Sequence, residues 1–210
     1  MAIKKIQQRK KNSGIKSCFL FDDDKKIGDI NQVIKKLPKK SNIIFRHYHL
    51  DNNQREIIAY QYLALAKKFK HSLIIGKNLD LAIKISSHGI HFSDFDFKKN
   101  FLKILIARNF FFKKKLFFSL AIHDLKSLNF CKIISPDTLF FSPVFSSTTH
   151  KNSKSIGFYN FIKFRKIISD KCRINNEVIA PLGGINLQNL QRLNNIKITK
   201  FGAIDFFNNL

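Results

Sequence analysis

Short apolar runs alternate along this chain with longer stretches in which apolar residues recur every three or four positions. Runs of about four to eight β-branched and aromatic residues are typical of strands, and the wider spacing is typical of helices that bury one face. Eight runs of the first kind predict strands over residues 17–22, 42–48, 72–76, 89–93, 116–122, 138–142, 178–182 and 200–204.

Helical patterns lie between these strands. They predict helices over residues 52–69, 99–110 and 156–168 and a further helix that opens at Leu187. Strands that alternate with helices form a parallel sheet, and an α/β chain of this kind is either a closed barrel or an open doubly wound sheet. The strand count favours the (β/α)8 TIM barrel. Because such barrels typically need about 250 residues, we expect a compact one with a truncated last helix.

The chain shows no linker, repeat or low-complexity stretch. We therefore expect a basic N-terminal lead-in over residues 1–16 and a single barrel domain over residues 17–210. The lead-in lacks the apolar core of a secretory signal, and no apolar run approaches the ~18 residues of a membrane helix. The three cysteines, Cys18, Cys131 and Cys172, lie far apart, as expected for a protein of the reducing cytoplasm.

The chain is strongly basic, with 38 Lys and Arg residues against 14 Asp and Glu and a formal net charge of +24. A basic surface attracts nucleic-acid backbones. The lysine pairs, however, are scattered over predicted helix ends and turns, and Lys, Asn, Ile and Phe are enriched together, as in the products of AT-rich genomes. We therefore do not favour a nucleic-acid partner, and a small anionic substrate would also benefit from a positive field. A membrane partner is not expected, and a homo-oligomer is left open.

The second predicted strand carries a charged residue in an apolar setting. Alternation along NIIFRHYH places Ile44, Arg46 and Tyr48 on one face. The inward face of a barrel strand is normally branched and apolar, so an arginine there is costly unless it meets an anion. Arg46 is therefore a candidate for binding or catalysis, and the alternative is a structural ion pair at the end of the strand.

Two further segments place polar side chains just after a strand, where barrel enzymes carry their chemistry. Asp94 and Asp96 follow the fourth strand; carboxylates there suit Mg²⁺, although Asp is also a common helix cap. His123 follows the fifth strand and precedes Asp124. An imidazole there could move protons near neutral pH, whereas the simpler interpretation is a hydrogen-bonding residue at a helix start.

Two loops are suited to holding a phosphate. The segment SPVFSSTTHKNSKSIG after the sixth strand is rich in hydroxyls, so it could surround an anion with side-chain and backbone donors; a solvated loop is the alternative. Gly183 and Gly184 end the seventh strand and lead into a helix. A glycine pair lets the backbone approach a ligand closely, and barrels often bind phosphate after their seventh strand.

These segments, in this order, resemble the thiamine phosphate synthase family, which includes the thiazole tautomerase TenI. The resemblance begins at CFLFDD and Arg46 and is clearest from residue 73 onwards, in LDLAIKISSHGIHFSDFD and FGAID. SPVFSSTTH is similar to the family's G-P-V-F-x-T loop, and APLGGIN is similar to its A-x-G-G-I phosphate loop. The resemblance implies a (β/α)8 barrel that acts on a phosphorylated thiazole in thiamine biosynthesis.

For the thiazole phosphate, the resemblance implies that Gly183 and Gly184 hold the phosphate and that Ser147 and Thr149 supply hydroxyls. His150 stands where the family usually has lysine, with Lys151 adjacent. In the synthase branch, the resemblance further implies that Mg²⁺ helps a hydroxymethylpyrimidine pyrophosphate lose its pyrophosphate. The thiazole nitrogen then captures the resulting cation.

The chain departs from the family pattern on the pyrophosphate side. Ile44 and Tyr48 stand where the family's second strand has Gln and Lys, so Arg46 alone is retained. Serines of the family are replaced by Ala121 in the fifth strand and by Asp205 after the eighth. Tyr48 thereby becomes a candidate for substrate binding in place of the lysine.

The metal-binding pattern is also altered. Gly76 and Lys77 stand where the family's third strand ends in Asn-Asp, of which the Asp is a metal ligand. Asp96 matches the second metal ligand. Replacing a ligand by a cation disfavours a metal, and Lys77 itself becomes a candidate for binding pyrophosphate directly.

Three hypotheses follow from the resemblance. In the first, a divergent synthase transfers the pyrimidine, with Asp96 on Mg²⁺ and Arg46 on pyrophosphate. In the second, a tautomerase isomerises the thiazole phosphate with His123 as proton shuttle, and this reaction needs no metal. In the third, a barrel without activity binds thiazole or thiamine phosphate. We prefer the synthase, because the pattern of the whole chain is that of the family.

Overall fold

Eight parallel strands form the centre of the protein, whose computed structural model describes residues 15–22, 28–146 and 155–207. Each of the first six strands pairs in parallel with the next along the chain, as βαβ units require, and the eighth pairs with the first. The strands are β1 (Ser17–Phe21), β2 (Asn42–Phe45), β3 (Ser72–Gly76), β4 (Gly89–Phe92), β5 (Phe117–Ile122), β6 (Thr138–Phe141), β7 (Ile179–Pro181) and β8 (Lys200–Ala203).

Eight helices of the described residues lie outside the sheet. They are α1 (Ile30–Lys36), α2 (Asn52–Phe69), α3 (Leu79–Lys84), α4 (Asp94–Lys99), α5 (Phe101–Lys113), α6 (Leu128–Ile134), α7 (Phe158–Cys172) and α8 (Leu187–Asn195). Two of them, α4 and α5, follow β4. After β8 the described chain forms the 3-10 turn Asp205–Phe207.

The sheet closes on itself. β8 pairs with β1, with Ser17 opposite Lys200, and a parallel bridge between Leu182 and Gly202 joins the end of β7 to β8. The closed order confirms the TIM barrel and excludes the open doubly wound sheet. In such a barrel the carboxyl ends of all eight strands meet at one mouth.

The barrel interior is filled mainly by aromatic and branched side chains. Alternation turns every second strand residue inward, and the inward set forms one buried cluster: Phe19, Phe21, Ile44, Ile74, Ala121, Phe140, Ala180 and Leu182. The Phe140 ring meets Phe19 edge-on at 5.0 Å and Phe21 at 4.9 Å between ring centroids. The outward residues join a second, larger cluster with the helices. Because these rings fill the interior, a ligand finds room only at the mouth.

Some predicted boundaries differ from the structure. One helix is predicted over residues 99–110, but the structure has two helices in this region. Ser93 caps the start of α4, which ends at Lys99, and the chain breaks at Asn100 (φ −132°) before α5 begins. The strand predicted to reach Tyr48 ends at Phe45, because His47 takes a positive φ of 33°.

The lead-in predicted over residues 1–16 lies outside the described residues up to residue 14. Ile15 is already buried against the core, and Lys16 forms an ion pair with Glu177. Within the described ranges, no helix has the length and apolar character of a membrane span.

Candidate active site at the mouth of the barrel

A cavity of about 160 Å³ opens at the carboxyl ends of the strands. Its wall brings together the predicted site residues Arg46, Tyr48, His123, Gly183 and Gly184. Its floor and sides are the inward-facing Phe21, Ala121, Leu182 and Ile204 of the barrel interior. Strands far apart in sequence thus supply one site, as in barrel enzymes generally.

Other predicted residues lie beside this cavity or outside the described chain. Lys77 lines a neighbouring cleft of about 560 Å³, and Tyr48 lines both the cavity and the cleft. Ser147, Thr149, His150 and Lys151 all lie outside the described residues. Their proposed role in holding the thiazole phosphate therefore stays a prediction.

The glycine pair after β7 forms a tight turn against the loop after β6. Gly183 and Gly184 both have positive φ, 90° and 64°. A Cβ at Gly184 would collide with the backbone oxygens of Phe145 and Ser146, so only glycine allows the two loops to pack together. The Gly184 carbonyl accepts a hydrogen bond from Asn189 Nδ2 at 2.7 Å, which ties the turn to α8. The turn therefore presents its backbone to the cavity in a fixed position.

His123 is held by the strand beside it. Its Nδ1 lies 2.8 Å from the carbonyl oxygen of Ser142. A carbonyl oxygen only accepts hydrogen bonds, so Nδ1 carries the proton and, in the neutral imidazole, Nε2 carries the lone pair. Because His123 lines the cavity, this geometry is that of a proton acceptor.

Arg46 reaches the cavity from the end of β2. Its Nε donates to the Asp22 carbonyl at 2.9 Å, and its guanidinium lies 6.0 Å from the centre of the Phe21 ring. The buried Asp22 carboxylate accepts a 2.5 Å hydrogen bond from His47 Nε2, which also contacts the Tyr62 hydroxyl. This network fixes the ends of β1 and β2, and with them the position of the Arg46 backbone.

A second arginine supports the same strand ends from α2. Arg55 is buried, and it donates from Nη2 to the Gly76 carbonyl at 2.6 Å and from Nε to the Arg46 carbonyl at 3.2 Å. Its guanidinium lies 5.3 Å from the centre of the Tyr48 ring. Sequence analysis missed Arg55, since nothing in a helical pattern shows that a side chain turns back to the preceding strands.

The side chain of Tyr48 packs directly against the backbone of Gly76. A Cβ at Gly76 would collide with the Tyr48 hydroxyl, so the tyrosine occupies the space that a side chain after β3 would need. Tyr48 is 45% exposed as a whole, but its hydroxyl end is shielded from water. This local burial raises the pKa of Tyr48 to about 12, against the charge of Arg46 and together with that of the Asp96 carboxylate. The two departures from the family pattern at these positions are therefore linked by packing.

The carboxylates after β4 are engaged by protein groups. Asp96 Oδ2 accepts hydrogen bonds from the Ser93 backbone N–H and hydroxyl, at 3.2 and 2.6 Å, and Oδ1 lies 3.3 Å from the Lys77 ammonium. Asp94 accepts from the Ser127 hydroxyl at 2.9 Å and pairs with Lys98 at 2.6 Å.

These contacts do not fit the predicted magnesium ion. A divalent ion at Asp96 would have to displace the Lys77 ammonium from Oδ1 or approach that ammonium closely. Within the described residues, no three His, Cys, Asp or Glu side chains are grouped to hold a metal. Magnesium as a cofactor stays a prediction.

His91 is a site residue that sequence analysis missed. It is fully buried at the base of the cavity, where its Nδ1 lies 3.0 Å from the Ser119 hydroxyl and its ring meets Phe21 edge-on. Burial lowers the pKa of His91 to about 3, and the Arg46 charge acts in the same direction. Alternation along GIHF could have placed it inward, as it did for Arg46. A neutral imidazole here gives the cavity floor polarity without charge.

This buried histidine makes stability depend on pH. Between its ordinary pKa of 6.5 and its folded value of about 3, the unfolded chain binds a proton at His91 that the folded protein does not. Stability therefore rises with pH through this window and is lost as the pH falls through it. In urea unfolding, we expect His91→Gln to flatten the slope between about pH 5 and 6.5 by up to about 1.4 kcal/mol per pH unit. Parallel slopes for the two proteins would show that His91 is protonated in the fold.

Known proteins are similar to this chain in sequence and in fold. A family model described as thiamine monophosphate synthase matches residues 20–205. The chain is 27% identical over 176 residues to a protein of Aquifex aeolicus named "Putative thiamine-phosphate synthase 2", covering 82% of this chain and 87% of the relative.

Solved structures show the same architecture. A thiamine phosphate pyrophosphorylase from Pyrococcus furiosus superimposes with a TM-score of 0.68 at 14% identity, over 91% of this chain and 86% of its own. The YdjI aldolase from Escherichia coli K12 superimposes with a TM-score of 0.60 at 15% identity, over 93% of this chain and 77% of its own. Because proteins with different names share the barrel at such low identity, these likenesses show the fold alone.

Proposed function

This chain belongs to the thiamine monophosphate synthase family, and from that premise we propose that it joins a hydroxymethylpyrimidine pyrophosphate to a thiazole phosphate, with release of pyrophosphate. The alternative functions for this chain are isomerisation of the thiazole phosphate and binding of a thiazole or thiamine phosphate without turnover. The choice among them rests on how many phosphate-bearing groups the mouth of the barrel can hold.

The observation that carries the proposal is the presence of two anion-attracting places on different sides of the mouth. The glycine turn after β7 lies on one side. On another side, Arg46 at the end of β2 and Lys77 at the end of β3 flank Tyr48. In the barrel order, β3 lies four strands from β7 in either direction. An isomerase acting on one phosphate needs one such place, whereas a synthase with two phosphorylated substrates needs both.

In the proposed reaction, the bond between the pyrimidine methylene and the pyrophosphate oxygen breaks, and its electron pair leaves on the oxygen. The lone pair of the thiazole nitrogen forms the new carbon–nitrogen bond, which leaves a thiazolium. The protein's part is to orient the two substrates and to stabilise charge on the leaving group. Arg46 is placed to donate to the leaving oxygens, and the glycine turn to hold the thiazole phosphate.

The second candidate, a thiazole phosphate tautomerase, is favoured by His123. Its Nδ1–H is committed to the Ser142 carbonyl at 2.8 Å, so Nε2 is available to take a ring proton and return it elsewhere. The synthase reaction does not require this base.

The test is a turnover assay with both substrates and Mg²⁺ supplied, following thiamine phosphate and pyrophosphate. We expect the two products in equal amounts. If no product forms while thiazole phosphate still binds, the synthase assignment is wrong. NMR in D₂O would then distinguish the remaining candidates, because a tautomerase exchanges a thiazole proton with solvent and a binding protein does not.

A further inference from the structure

The region around Tyr48 carries a cation where a synthase of this family would be expected to bind a metal. The Lys77 ammonium lies 3.3 Å from Asp96 Oδ1, and its side chain is 52% exposed whereas that of Asp96 is 6% exposed. The Lys77 backbone is anchored as well, since its N–H donates to the His91 carbonyl at 2.8 Å. A buried carboxylate thus holds one face of a cation whose other face is open to the cleft.

In this ion pair, the group with hydrogen-bonding capacity left for a ligand in the cleft is the Lys77 ammonium and not the Asp96 carboxylate. An ammonium group has three donors, and Asp96 accounts for one contact of Lys77. Asp96 Oδ2 is already occupied by both donors of Ser93. An anion entering the cleft would therefore meet the lysine rather than the carboxylate.

The surroundings of Lys77 favour an anion of high charge. Within the described part of the chain, the cleft is lined by the cations Arg55, Lys77 and Lys103 and by one carboxylate, Asp80. Lys77 Nζ lies 5.9 Å from the centre of the Tyr48 ring, and the Arg55 guanidinium lies 5.3 Å from the same centre. Through Tyr48 the cleft adjoins the cavity that Arg46 lines, so one anion could reach both cations.

We propose that the Lys77 ammonium takes the place of a divalent ion and binds the pyrophosphate group of the substrate directly, together with Arg46. The inference rests on the proposed synthase function. The charge of the ammonium stabilises the electron pair that departs with the leaving oxygen. Binding of the pyrophosphate group then depends on Lys77 and not on magnesium.

The test is calorimetric titration of the full chain with inorganic pyrophosphate, once with a chelator and once with Mg²⁺. We expect the wild type to bind in chelator. Lys77→Gln should weaken that binding about tenfold or more, and Lys77→Arg should retain most of it. Lys84→Gln is the matched control, since Lys84 is similarly exposed and also forms an ion pair, at 2.7 Å with Glu56.

Lys77→Asp makes the test sharper. It places a second carboxylate beside Asp96, and paired carboxylates with substrate phosphates are a usual Mg²⁺ environment. Asp also tolerates the left-handed backbone of this position, where φ is 67°. We expect this variant to bind pyrophosphate poorly in chelator and to recover binding when Mg²⁺ is added.

The outcomes of these titrations distinguish a failure of the inference about Lys77 from a failure of the proposed synthase function. If the wild type binds pyrophosphate only with Mg²⁺, or if Lys77→Gln binds as tightly as the wild type in chelator, the inference about Lys77 is wrong while the synthase function stands. If the folded wild type binds pyrophosphate under neither condition, the synthase function falls as well. Melting temperatures of all variants confirm that the titrated proteins are folded.

Discussion

Arg46→Gln should lower kcat/KM for the joining reaction by about 100-fold or more. The guanidinium is held by its Nε bond to the Asp22 carbonyl at 2.9 Å, and Arg46 lines the cavity at the strand end. A donor held in a fixed position stabilises the charge that develops on the leaving pyrophosphate most strongly, because the donor does not have to reorganise as the bond breaks. Glutamine keeps much of the side-chain length and removes the charge. The measurement is steady-state kinetics with both substrates.

Arg108 provides the matched control for this substitution. It is also a largely buried arginine that donates to backbone carbonyls, at 3.0 Å to Ile134 and 2.8 Å to Ser135, but it lies at the amino ends of the strands. Arg108→Gln should cost about 1–3 kcal/mol in unfolding free energy and leave kcat/KM within about threefold. If the two variants lose the same activity, Arg46 acts through stability and the proposed contact with pyrophosphate is wrong.

The fold could be predicted because its signals are local and repeated. Each strand is a short apolar run and each helix has its own periodicity, so eight independent patterns agree on one topology. The helix Asn52–Phe69 was predicted to the residue, since Asp51 caps its start and Lys70 ends it in a left-handed conformation. Predicted ends of strands and helices were wrong where a single residue determines the end, as at His47 with its positive φ.

The candidate site could be predicted only in part. Arg46, His123 and the glycine pair follow strands directly, and the barrel brings all strand ends to one mouth. The contacts that define their roles join residues far apart in sequence. The bond between His123 and Ser142 and the ion pair between Lys77 and Asp96 are of this kind, and no local pattern encodes them.

Two substitutions that look damaging in sequence prove compatible in the fold. Gly76 removes a side chain where the Tyr48 hydroxyl lies, and Arg55 then reaches the Gly76 carbonyl at 2.6 Å. The guanidinium of Arg55 and the Lys77 ammonium both lie near the Tyr48 ring, at 5.3 and 5.9 Å from its centre. These departures from the family pattern thus occur beside a cleft that Arg55, Lys77 and Lys103 line, which supports the proposal that its cations bind the anion.

Gly184→Ala should weaken thiazole phosphate binding about 100-fold. A Cβ there would overlap the Phe145 and Ser146 carbonyl oxygens, which belong to backbone that cannot move without displacing the loop after β6. The turn would shift, and with it the backbone of Gly183 and Gly184 that lines the cavity. The measurement is calorimetric titration with thiazole phosphate, together with thermal unfolding.

Gly157→Ala separates this collision from backbone strain. Gly157 has a φ of 80°, similar to the 64° of Gly184, but nothing lies within 4 Å of a Cβ placed there. Both substitutions place a side chain at positive φ, and at Gly157 the ψ of 158° puts the residue in a region essentially restricted to glycine. Gly157→Ala therefore carries backbone strain without a collision, and only Gly184→Ala should lose affinity. Equal loss of affinity in the two variants would mean that rigidity of the loops, and not the turn after β7, determines phosphate binding. Unchanged affinity in both would remove the glycine pair from the site and leave Arg46 and Lys77 as the anion-binding groups of the mouth.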